Sequence, residues 1–66
     1  MDLSTFILEI RLKFNLSQEK LARKLGVSFA TINRWESGKA RPQRLTLCRL
    51  QKFCRINGIE FKVDIQ

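Results

Sequence analysis

A three-residue stop-and-start signal, Gly26-Val27-Ser28, decides most of what this chain can fold into. Glycine ends a helix because it enters the left-handed conformation without a Cβ clash. Serine starts one by accepting a hydrogen bond from an unpaired backbone N–H. The same punctuation frames the signal on both sides. Ser17 opens the stretch from Gln18 to Leu25, and Gly38 closes the stretch from about Phe29 to Ser37. Residues 17–38 therefore read as two short helices joined by a tight turn. Leu21, Ala22 and Leu25 form the inner face of one helix, and Ile32 and Trp35 that of the other.

The flanks follow the same logic. Leu3, Ile7, Ile10 and Phe14 recur in steps of four, three and four, so residues 2–14 read as a first helix. Asp2 or Ser4 offers its cap, and Asn15 its terminator. Lys39-Ala40-Arg41-Pro42 is a basic loop, because proline disfavours helix at the residue before it. A fourth helix, about 43–56, carries Leu47, Leu50 and Cys54 inward and is broken by Asn57-Gly58. From Ile59 to Ile65 apolar and charged residues alternate strictly, which predicts a half-exposed strand. Nothing else in the chain reads as a strand, so this one has no internal partner. The expectation is that it pairs antiparallel with the same segment of a second copy. Ile59, Phe61, Val63 and Ile65 would then form a shared core, lined by Leu8, Leu12 and Phe53, with Glu60, Lys62 and Asp64 outward. A fifth helix packed on its own chain is the competing reading. The expected fold is mainly α: one domain over 1–66, with a helical bundle at 1–57 and a dimerising strand at 58–66.

Composition excludes several functions. Sixty-six residues bury only about 60 % of their unfolded surface, which leaves no room for a shielded reaction centre. There is no histidine, and the carboxylates are scattered singly, so no nucleophile–base pair assembles and no enzyme is expected. Cys48 and Cys54 have no companion pair, so neither a metal nor a disulfide framework is expected, and no cofactor. Six positions apart on a helix, they point about 120° from each other; both read as small buried apolar residues. No run of about 18 apolar residues exists to cross a membrane. Asp2 and Glu9 do not suit a signal peptide, so a cytoplasmic setting is expected. Thirteen Lys and Arg against six Asp and Glu give a net charge of +7. That excess fits a polyanion binder or a merely solubilising surface, and the placement of the charges decides between them.

From Leu16 to Lys39 the chain has a small residue at Ala22, where two helices cross closely, Gly26 at the turn, and apolar Leu21, Val27 and Ile32 to fix the crossing. With Ser17-Gln18, Leu25, Ser28, Trp35-Glu36, Gly38-Lys39 and Pro42, it closely resembles the Cro/repressor, or XRE, family of helix-turn-helix proteins over about residues 5–55. The resemblance implies a lambda-repressor-like DNA-binding bundle of about five helices. This chain departs from it after Asn57-Gly58, where the family has another helix. The resemblance also implies a partly buried ion pair between Arg11 and Glu36, tying the first helix to the third.

In such a fold the third helix lies in the major groove. Its outer face carries Phe29, Ala30, Asn33 and Arg34 as candidate base contacts. Arg34 suits guanine, Phe29 and Ala30 a thymine methyl, and Asn33 adenine if it faces the groove. Phe29 also reads as core, but its place beside Ser28 in a basic chain favours the groove. Gln18, Ser28, Thr31, Lys39, Arg41 and Arg44 are the candidate phosphate contacts. Gln18 stands at a helix start, where unpaired N–H groups attract anions, and the resemblance implies the same role. Lys39, Arg41 and Arg44 suit the flanking strand or else form a solvated loop. The expected function is a sequence-specific double-stranded DNA-binding regulator, a repressor or an antitoxin-type autoregulator, working as a homodimer. The alternative is a protein-interaction module using Leu8, Leu12, Phe53, Ile59 and Phe61 to bind a toxin or larger enzyme.

Overall fold

A computed structural model describes residues 1–39 and 41–64. Four helices follow in chain order: α1 Leu3–Phe14, α2 Gln18–Leu25, α3 Phe29–Ser37 and α4 Arg44–Ile56. Side chains write three of the four starts. The Asp2 carboxylate accepts from the Thr5 N–H at 2.8 Å, Ser17 from Lys20 at 3.1 Å, and Ser28 from Thr31 at 3.1 Å. The Thr5 bonds hold the Asp2 carboxyl below its ordinary range. Left-handed residues end α1 at Asn15 (φ 54°) and α2 at Gly26 (φ 73°). The positive φ is what favours glycine at 26; a Cβ there would also sit 2.6 Å from the tip of the Arg49 side chain, which donates to the Gly26 carbonyl and would have to shift.

The helices bury one shared centre. Ile7 of α1, Leu21 of α2, Ile32 of α3 and Leu50 and Cys54 of α4 are fully enclosed. Phe6, Ile10, Ala22, Leu25 and Trp35 complete the core. α3 packs against both α1 and α2, and α4 against α2. α3 is thus backed on two sides, and the whole has a radius of gyration of 10.5 Å.

Three features differ from the sequence-based expectation. On α1 the buried stripe runs through Phe6, Ile7 and Ile10, while Phe14 stays at the surface, edge-on to Phe53 with ring centroids 6.2 Å apart. Cys48 is exposed, and only Cys54 is buried. Only one face of α4 meets the core, and residues about 120° apart cannot share it.

The third difference is the C-terminal segment. Among the described residues there is neither a strand nor a fifth helix. The chain turns at Gly58, and the Ile59 N–H donates to the Cys54 carbonyl at 2.8 Å. Residues 59–64 then run without helix or strand, with Ile59, Phe61 and Val63 against this chain's own core. Phe61 meets Phe6 edge-to-face at 5.4 Å. The Asp64 N–H donates to the Met1 carbonyl, and its carboxylate pairs with the Met1 ammonium, each at 3.0 Å. Alternation therefore does mark one apolar side, but that side covers the home core, because α1 leaves Phe6 within its reach. Ile65 lies outside the described residues.

Candidate nucleic-acid interface

α3 turns Ile32 and Trp35 inward and leaves Phe29, Ala30, Asn33 and Arg34 on its outer side. Phe29 is 52 % exposed, so it is not a core residue. Asn33 is not loose on this face. Its Nδ2 donates to Gln18 Oε1 at 3.3 Å, joining the start of α2 to the middle of α3. That bond leaves the Asn33 oxygen free to accept and the Gln18 amide nitrogen free to donate.

Ser28 and Thr31 form a hydroxyl pair at 2.9 Å, and Ser28 also caps α3. Beside them a cleft of about 170 Å³ opens between α3 and the start of α4, lined by Thr31, Arg34, Trp35, Arg41, Gln43 and Thr46. Arg34 and Arg41, read from sequence as a base and a phosphate contact, share this cleft. Gln43 and Thr46 were not legible as part of it, since the cleft exists only once α3 and α4 are brought together. The α4 start has no side-chain cap. Its first N–H groups therefore keep the partial positive charge of an open helix end. Arg44 begins that helix, and Lys39 precedes it, both exposed.

The charge of this face is mostly positive. Between residues 20 and 59 the single carboxylate is Glu36. It is drawn off by Arg11, whose Nη1 donates to both oxygens at 2.7 and 2.9 Å. Glu19 is likewise paired, with Arg23 at 2.9 Å. A concave basic strip with two guanidinium groups, two hydroxyls and a free helix end has the chemistry for an anionic polymer, with an aromatic ring and an amide at its edge for groove contacts. No described helix is long and apolar enough to cross a membrane.

Similarity to known proteins points the same way. The helix-turn-helix family matches residues 7–61. The chain is 40 % identical over 53 residues to the HTH-type transcriptional activator BcrR of Enterococcus faecalis, covering 80 % of this chain and 26 % of that protein. It is 36 % identical over 62 residues to the type II methyltransferase M1.ScrFI of Lactococcus lactis subsp. cremoris, covering 89 % of this chain and 16 % of that one. The chain thus spans about a quarter of the first relative and about a sixth of the second. No solved structure matches it significantly. The family match runs from α1 through the Gly26 turn and both flanking serine caps into the tail, and on that ground the chain belongs to the Cro/repressor, or XRE, type of helix-turn-helix proteins.

Proposed function

We propose that this chain binds double-stranded DNA in a sequence-specific manner and regulates transcription, with α3 in the major groove. The observation that carries this reading is the Asn33–Gln18 bond beneath an exposed Phe29 and Arg34. It is an arrangement that orients an amide toward a base edge while its partner reaches a phosphate. Phe29, Ala30, Asn33 and Arg34 take the base contacts. Gln18, Ser28, Thr31, Lys39, Arg41 and Arg44 take the phosphates, with Gln43 and Thr46 added by the cleft. The relative named a transcriptional activator supports the regulatory role. Repression by occupancy, including antitoxin-type autoregulation, needs nothing beyond this surface.

Two copies act together. One copy measures 25 × 22 × 20 Å, whereas paired recognition helices stand about 34 Å apart on DNA. The α1–tail face supports self-association. Leu12 lines it and is exposed, as is Leu8 on the same helix. The N–H groups of residues 60–63 have no partner among the described residues. Asp2, Glu9, Glu60 and Asp64 are mixed there with Lys13 and Lys62. Opposite charges on one face let a second copy meet it without repulsion. The tails would pair edge to edge while Ile59, Phe61 and Val63 stay on their own cores. Selection of bound duplexes from a random pool tests the reading. An enriched two-fold-symmetric motif with half-site centres about 10 base pairs apart is expected; a pool that stays random overturns it.

A further inference from the structure

The far ends of α2 and α4 carry a second cationic surface that DNA docking leaves unused. Lys24, Arg49 and Lys52 surround Phe53 and Ile56 over an open recess of about 610 Å³, and no carboxylate lines it. Ile56 is 71 % exposed. Phe53 is half-buried, and its contact with Phe14 extends the apolar floor. Arg49 is held in place by its bond to the Gly26 carbonyl, so this charge is oriented. Its apolar floor is remote from the groove contacts along α4, whereas Arg49, bonded to Gly26, stands nearer to Ser28. Arg44 begins α4, and Phe53 lies nine residues on, about 14 Å at 1.5 Å per residue.

Charge and apolarity together select the occupant. A duplex brings phosphates but nothing to cover Phe53 and Ile56. In the dimer proposed above, a second copy's carboxylates at the α1 cap, on α1 and in the tail (Asp2, Glu9, Glu60 and Asp64) are taken up by the self-association face, and the rest of its surface brings like charge. We propose that this surface docks an acidic amphipathic segment of a partner protein, with apolar residues on Phe53 and Ile56 and carboxylates on Lys24, Arg49 and Lys52. Such a segment binds as a helix laid in a groove.

The test titrates the isotope-labelled full chain with a synthetic helix bearing Leu at helical spacing on one face and Glu on the other, read by amide NMR. Saturable shifts at Lys24, Arg49, Lys52 and Ile56 are expected. The double variant Lys24→Glu/Lys52→Glu and the single variant Ile56→Ser should each weaken binding about tenfold. All three positions are exposed, so the fold is retained, which unchanged shifts elsewhere would verify. Three results would overturn the proposal: a control peptide with Ser in place of Leu binding equally well, shifts confined to Phe29–Arg34 and the Arg41 cleft, or duplex DNA moving the Lys24–Ile56 set as strongly as the peptide.

Discussion

Arg11 donates from Nη1 to both oxygens of Glu36 and from Nε to the Leu16 carbonyl at 3.2 Å, so one side chain ties α1, the α1–α2 link and α3 together. The two side chains are only 23 % and 14 % exposed. Removing one strands the other in a poorly solvated place. Arg11→Met should therefore cost about 2–4 kcal/mol, somewhat below a fully buried pair. A double-mutant cycle with Glu36→Gln in denaturant melts checks this, and coupling within error of zero would contradict it. At the interface, residue roles separate by specificity. Arg34→Ala should lose about 1–3 kcal/mol at the preferred site and relax discrimination at one base pair. Arg41→Ala should weaken all duplexes alike and lower the salt slope by about one. A panel of single-base variants distinguishes them; uniform loss for Arg34→Ala would make it a phosphate ligand.

The helices show how far local chemistry reaches. Asp2, Ser17 and Ser28 cap because their oxygens lie within one turn of a bare N–H, and Asn15, Gly26 and Gly38 stop because they accept positive φ or lack a Cβ. Such signals act over three or four residues, so every helix was legible to within a residue or so. The outer face of α3 was legible for the same reason. Features made by distant residues were not. Phe6 is core because Phe61 returns to it, and Arg49 reaches Gly26 across twenty-three positions. The alternation of residues 59–65 distinguishes an apolar side but not which chain that side covers. Cys48 and Cys54 give a test at this scale. Burial pushes the Cys54 thiol up, disfavouring the reactive thiolate, while Cys48 faces solvent. A maleimide reagent near neutral pH should modify Cys48 alone, with Cys54 following only on unfolding. Equal labelling of both in the native state, read by peptide mass, would refute the placement of α4.

At the scale of the whole molecule, charge is segregated. Asp2 at the α1 cap, Glu9 on α1 and Glu60 and Asp64 in the tail make four of the six carboxylates, while the cleft between α3 and α4 is basic. In the proposed reading, this division leaves one face for a second copy and another for DNA. Leu12→Glu, at a site 73 % exposed, should leave the fold intact and shift sedimentation toward monomer at micromolar concentration. An unchanged dimer, or a wild-type chain already monomeric, would contradict the self-association face. The central claim is that α3 and its basic surroundings grip the phosphate backbone of duplex DNA. Affinity for duplex measured across a salt series tests it most directly. Neutralising three or four phosphates per subunit predicts that log affinity falls against log salt with a slope of about −3 per subunit. A slope near zero between low and physiological salt would contradict it.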